Sequence, residues 1–334
     1  MIDHECSRRG FLKLVGGGLA TYGWPAGNVF AAGTDDIKLG YPANLTGAVA
    51  IIGEGAGIFS KAGAHVSFER FNSGVAVRDA MISNRVDVGI MNATPFVIGV
   101  AKGTLAGLAV ATYAGRIIMV VAGKDSGIKS VADLKGKRVG SQVGSGTDHV
   151  FRNKVLAKYG LKPSDVQIVN VKFTDQVSAL ASHSIDAYAG TEPYSSIAEY
   201  EGIGQLLVDY GEFDLSPIML AVNQPVLERK RDGIVLMLKG WLETVRFAKE
   251  HTDEAADVIW KFYKDQGYDV PKAVVRSALN RMDLNPDFVQ QLPAYLTEQA
   301  QILLSKGRIS RMPDWNKELL QAPIARAREL IGKA

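Results

Sequence analysis

Five histidines, His4, His65, His149, His183 and His251, and one cysteine, Cys6, are scattered along the chain. They form no His-Glu-x-x-His motif and no cysteine pair, the spacings that zinc sites use, so a catalytic metal centre is not expected. Neither the Gly-x-Ser-x-Gly elbow of hydrolases nor a Gly-x-x-x-x-Gly-Lys-Ser/Thr phosphate loop occurs. The nearest glycine motif is Gly140-Ser141-Gln142-Val143-Gly144-Ser145-Gly146-Thr147. It lacks dinucleotide spacing, and the next strand ends at Lys172, where a ribose-binding acid belongs. No catalytic residues and no cofactor are therefore expected. What remains is a set of five junctions rich in small polar residues: Pro42-Ala43-Asn44-Leu45-Thr46-Gly47, Asn72-Ser73-Gly74, Asn92-Ala93-Thr94-Pro95, Gly144-Ser145-Gly146-Thr147 and Gly190-Thr191-Glu192-Pro193-Tyr194.

These junctions matter because of the elements around them. From Ile37 onward, short β-rich runs alternate with helical stretches of roughly ten residues, the pattern of parallel α/β units. The strand candidates are 37–41, 65–71, 86–91, 108–112, 117–122, 138–142, 166–171, 185–189, 206–209 and 218–222, with helices such as 47–62, 76–84 and 147–159 between them. Strand-to-helix junctions of a parallel sheet lie at its carboxyl edge, where ligands bind and free backbone N–H groups stand at helix N-termini. Pro42, Asn44, Ser73, Asn92, Thr94, Ser145, Gly146, Thr147, Glu192 and Tyr194 are accordingly the candidate ligand contacts, and Arg116, after Gly115, is a candidate charge partner. The same residues can instead cap their own helices: Ser73 and Thr147 suit an N-cap, as does Thr94 before Pro95. Glu192 before Pro193 can likewise stabilise the next helix through its dipole.

After Val222 no strand is expected. Ile234, Leu238, Trp241, Leu242, Val245 and Ala248 recur on one helical face. Met237, Trp241 and Trp260 then read as core, and the charged, proline-bearing tail 313–334 as a surface wrap. Residues 34–115 with 216–334 form one expected lobe and 116–215 the other. No Gly/Ser tether separates them, so crossing strands form a hinge that lets the lobes close on something between them.

Of 334 residues 47% are hydrophobic, which supplies a core and excludes a disordered chain. A net charge of +3 without any basic run gives no footing for nucleic acid. Ser7-Arg8-Arg9-Gly10-Phe11-Leu12-Lys13, followed by a weakly apolar glycine-rich stretch, reads as a twin-arginine export signal over 1–31. Val29-Phe30-Ala31 suits cleavage, leaving a mature chain from Ala32 without cysteine. Cys6 precedes the apolar stretch and so is no lipid anchor. The expected product is a periplasmic, soluble protein, folded before it crosses the membrane.

Several ordered runs carry a family likeness. Ile37-Lys38-Leu39-Gly40-Tyr41, Gly57-Ile58-Phe59-Ser60-Lys61-Ala62-Gly63, Phe71-Asn72-Ser73-Gly74, Val86-Asp87-Val88-Gly89 and Ser130-Val131-Ala132-Asp133-Leu134-Lys135-Gly136-Lys137-Arg138-Val139-Gly140 are followed by Gly160-Leu161-Lys162-Pro163-Ser164-Asp165-Val166, Ala179-Leu180, Ile185-Asp186-Ala187 and Glu192-Pro193. In this order they resemble solute-binding proteins of the nitrate/sulfonate/taurine ABC importer family. The resemblance implies an α/β, two-lobe periplasmic binding fold of type II with parallel-rich sheets, helices on both faces and a ligand cleft between the lobes. It also implies a small-molecule ligand, an inner-membrane permease with its ATPase as partners, and a monomer. Nitrate, alkanesulfonates, taurine, thiamine-pyrimidine precursors, riboflavin and aromatic acids are the ligands it offers. In taurine-binding members an acid before proline faces the ligand's amine; here Glu192 stands there, with Thr191 in place of the usual tryptophan. A ligand sensor, a binding protein of a tripartite secondary importer, and the related thiamine-pyrimidine synthase are the alternatives. The synthase's cysteine-rich motif has no counterpart here.

Overall fold

The computed structural model describes residues 35–211 and 213–332. The expected signal segment 1–31 lies outside them. All ten expected strands form: β1 Ile37–Pro42, β2 Val66–Phe71, β3 Val88–Asn92, β4 Leu105–Tyr113, β5 Ile118–Gly123, β6 Arg138–Ser141, β7 Gln167–Asn170, β8 Ala187–Thr191, β9 Gly204–Asp209 and β10 Pro217–Asn223. They assemble into two five-stranded sheets, β2-β1-β3-β10-β4 and β7-β6-β8-β5-β9. In each, one strand runs against the rest: β10 is antiparallel to β3 and β4, and β5 to β8 and β9. Both odd strands are the first to follow a crossover. The chain leaves the first sheet after Tyr113 and enters the second at Ile118, then leaves after Asp209 and returns at Pro217. Two crossovers side by side join the sheets, and they bond to each other, Ala114 N–H to Ser216 O at 3.0 Å and Tyr210 N–H to Gly115 O at 2.9 Å.

Helices flank both sheets. The first sheet is served by α1 Ala48–Gly55, α2 Ile58–Lys61, α3 Gly74–Ile82 and α4 Ala93–Ala101. The second is served by α5 Gly146–Val150, which runs through a π-helical turn, Phe151–Val155, into α6 Leu156–Lys158, and by α7 Gln176–Ala181 and α8 Tyr194–Tyr200. The single helix expected over 47–62 is broken, because Gly57 takes φ +64° between α1 and α2, a left-handed conformation glycine adopts without steric cost.

The remainder is helical: α9 Gln224–Arg229, α10 Arg231–Glu250, α11 Thr252–Asp265, α12 Lys272–Asn280, α13 Leu292–Ser305, α14 Trp315–Glu318 and α15 Gln321–Ile331. The stripe of α10 is core, with Ile234, Met237, Leu238 and Trp241 fully buried. Trp260 departs from expectation. It is only half-buried and lies beneath the ammonium groups of Lys264 and Lys272, at 4.7 and 5.2 Å from the ring centre. The tail is also more ordered than a surface wrap. Leu320 N–H donates to Gly107 O at 2.8 Å, and α15 then buries Pro323, Ile324 and Ala327. Together with the 283–286 segment, whose Asp283 and Pro286 carbonyls accept from Tyr113 and Val110, this tail covers the free edge of β4. An edge strand left bare would invite pairing with another chain.

Candidate functional site

The carboxyl edges of the two sheets meet. Asn92 ends β3 and Gly146 opens α5; a Cβ built on Gly146 would stand 2.4 Å from that of Asn92, so only glycine permits this approach. Asn92, Thr94, Gly146, Ser216, Pro217 and Tyr295 line one cavity of about 10 Å³, the room of about one water molecule. Two expected junctions, one from each sheet, therefore share a wall. Ser216, Pro217 and Tyr295 complete it from the second crossover and from α13, and no sequence motif marked them.

The capping readings separate here. Ser73 caps α3, accepting from Ala76 N–H at 3.3 Å, and Ser145 caps α5, accepting from Asp148 N–H at 3.1 Å. Asn44 accepts from the N–H and the hydroxyl of Thr46. Thr94 and Thr147 are no caps, because their helices begin earlier, at Ala93 and Gly146. Asn92 stands at the N-cap of α4 yet makes no capping bond. Among the described residues, the side chains of Asn92, Thr94 and Thr147 make no hydrogen bond, although Thr94 and Thr147 are only 5% and 3% exposed. Pro42 is buried beneath the turn that follows it, with Gly47 packed on its carbonyl. Arg116 is exposed at the first crossover, its stem against Gly211.

Glu192 lies elsewhere on the same edge. Its side chain is fully buried and its carboxylate accepts three hydrogen bonds: from Ser196 N–H at 3.1 Å, from the Ser196 hydroxyl at 2.7 Å and from Arg281 Nη1 at 3.1 Å. Burial pushes its carboxyl above the usual range, opposed by Ser196 and by Arg281. Glu192 thus holds the start of α8, as a helix-start acid should, and also grips a guanidinium from beyond α12. Tyr194 is buried edge-on to Tyr268, with ring centres 6.0 Å apart.

A second buried carboxylate was not anticipated. Asp214, in the second crossover, accepts from the Tyr295 hydroxyl at 2.5 Å and from Ser216 N–H and hydroxyl at 2.6 and 2.9 Å. Its other oxygen lies 2.9 Å from Lys154 Nζ, which comes from the π-helical turn and also sits 4.7 Å above the Tyr295 ring. Nearby, burial and then Lys306 lower the His149 pKa to about 4, against the pull of Asp214 and Asp148. Among the described residues no group of three or more His, Cys, Asp or Glu side chains is placed to hold a metal ion.

The NMT1-like family model matches residues 31–261. The chain belongs to the NMT1-like family. Over 227 residues it is 28% identical to a protein of Bacillus subtilis (strain 168) named as an aliphatic sulfonates-binding protein, covering 67% of this chain and 67% of the relative. Among solved structures, the alkanesulfonate-binding protein of Xanthomonas axonopodis pv. citri bound to MOPS superposes with a TM-score of 0.75 at 17% identity, over 86% of this chain and 98% of that one. The periplasmic aliphatic sulphonate binding protein of Escherichia coli gives 0.74 at 21% identity, over 86% and 93%. The fold of this NMT1-like chain is therefore the two-lobe fold of periplasmic binding proteins.

Proposed function

We propose that this chain is the solute-binding component of an ABC importer, holding a small sulfonate-type anion or zwitterion between its lobes and passing it to a membrane permease driven by an ATPase. The observation that carries this reading is the shared wall: Asn92 and Thr94 from one sheet edge meet Gly146 from the other around one cavity, which now has room for about one water molecule and must widen as the lobes part to take an anion. The neighbouring Thr147, like Asn92 and Thr94, makes no side-chain hydrogen bond. Buried polar side chains are normally hydrogen-bonded, so uncommitted ones where two lobes meet suit a polar ligand. Residues 34–115 with 216–334 make one lobe in this reading and 116–215 the other, with the paired crossovers as hinge. The ligand class is supported by the names of the relatives, and a periplasmic location by that of the Escherichia coli neighbour. Export runs through the twin-arginine pathway, which calls for Arg8 and Arg9, and substituting both by lysine retains the precursor in the cytoplasm.

Titration calorimetry with ethanesulfonate tests the ligand reading. The wild type binds it, and Gly146→Leu loses affinity at least 100-fold while keeping its circular dichroism spectrum, because the new side chain collides with Asn92. Unchanged affinity in Gly146→Leu would leave that loop a helix start and nothing more.

A further inference from the structure

The pair Glu192–Arg281 has an asymmetry that bears on which ligand charge the cleft accepts. The Glu192 side chain is inaccessible to solvent and three internal donors already engage it. A ligand amine would have to displace one of them. Arg281 is the opposite case: its side chain is 37% exposed, and Glu192 engages one N–H of a guanidinium that carries five. The two residues come from distant parts of the chain, Glu192 from the end of β8 and Arg281 from the segment after α12, which packs against α8.

A further donor stands close by. Tyr263 of α11 is fully buried, and its hydroxyl finds no hydrogen-bond partner among the described residues. Its ring lies 6.2 Å from that of Tyr268, which in turn meets Tyr194, two residues after Glu192. The corner thus holds a guanidinium with free N–H groups and an uncommitted phenol, around a carboxylate whose own capacity is largely taken.

We infer that Arg281 is the residue that selects the ligand's charge, donating its free N–H groups to sulfonate or carboxylate oxygens, and that Glu192 acts as a positioning residue which holds the guanidinium in place. The inference rests on the small-anion reading above and refines it. A planar fork fits the oxygens of a sulfonate in a bidentate way that a lysine ammonium does not reproduce. Charge of either sign is then sorted by Arg281, and an amine on the ligand is tolerated instead of required.

Calorimetry with ethanesulfonate, taurine and dimethyl sulfone tests it on the wild type, Arg281→Gln, Arg281→Lys and Glu192→Gln, with melting curves to verify that each is folded. The wild type binds both sulfonates and not the uncharged sulfone. Arg281→Gln weakens ethanesulfonate and taurine alike by at least 100-fold, and Arg281→Lys restores less than a tenth of the lost affinity. Glu192→Gln weakens both by about tenfold, since the fork is freed but still present. Affinity within threefold of wild type in Arg281→Gln overturns the inference while leaving the binding function intact. Loss of taurine alone in Glu192→Gln also overturns it, because Glu192 would then face the amine. A wild type that binds neither sulfonate overturns the small-anion reading itself, and this inference with it.

Discussion

Two buried carboxylates, Asp214 and Glu192, each tie together distant parts of the chain, yet the cations they hold differ in how far they are committed. Asp214 sits in a crossover and gathers Tyr295 from α13, Ser216 from its own turn and Lys154 from the π-helical turn. Lys154 is only 17% exposed, and it is further engaged by Glu298 at 3.3 Å and by the Tyr295 ring. Lys154 is thus committed on three sides, so little of its charge is left for a ligand, although the Asp214 oxygen that faces it is held by the ion pair alone and makes no hydrogen bond. Glu192 is equally buried, but the cation it holds is half-exposed and mostly uncommitted. The contrast separates two ion pairs of the same chemistry by how many donors of the cation remain free, and only the second leaves donors for the recognition role inferred above.

The largest effect that should break this contrast is on stability. Lys154→Met strands the Asp214 carboxylate in the interior, and removing one partner of a buried pair costs about 4 kcal/mol. Adding Asp214→Asn removes the stranded charge and should recover a part of that loss. Arg281→Gln should cost less, about 1 kcal/mol, because its side chain is 37% exposed against 17% for Lys154, so solvent screens that pair more. Urea unfolding of the three variants measures this, and equal losses for Lys154→Met and Arg281→Gln would erase the distinction.

Acid should act next, and on the Asp214 side. His149 resists protonation in the folded protein, with its pKa lowered to about 4 by burial and by Lys306 and Lys154, while an unfolded histidine titrates near 6.5. As pH falls below that value the unfolded chain takes up a proton that the folded chain refuses. The stability contributed above pH ~6.5 is therefore lost on descent toward pH ~4, by about 3 kcal/mol in all. His149→Gln should flatten the slope of unfolding free energy against pH in that window, and an unaltered slope would remove His149 from the account. The smallest effect sharpens the Glu192 side: Ser196→Ala deletes the 2.7 Å hydroxyl bond and should cost about 1 kcal/mol, with sulfonate affinity weakened less than in Glu192→Gln.

Much of the scaffold was legible in the sequence for local reasons. Seven of the ten strands end at or directly before Gly, Pro, Asn or Ser, and that punctuation survives folding; β4, β8 and β9 instead end at Tyr113, Thr191 and Asp209. Helix starts were harder. Thr94 before Pro95 satisfies the rule for an N-cap, yet α4 begins two residues before Pro95, at Ala93, with Asn92 at the N-cap. The junctions 92–95 and 144–147 were identifiable as sheet-edge loops, but their meeting across the cleft depends on crossovers that bring distant edges together. Lys154, Asp214, Tyr295 and Arg281 carried no local signal, because an ordinary lysine, acid, tyrosine or arginine acquires its partner only through tertiary structure. Glu192 was visible as the acid before Pro193, while its two bonds to Ser196 were foreshadowed only by the general preference for acids at helix starts.

Closure of the lobes on a small anion is tested most directly by small-angle scattering of residues 32–334 with and without saturating ethanesulfonate. Lobes that close over the ligand at the Asn92–Gly146 wall predict a smaller radius of gyration in the bound protein. A radius that stays the same or grows would contradict the hinged, two-lobe binding account.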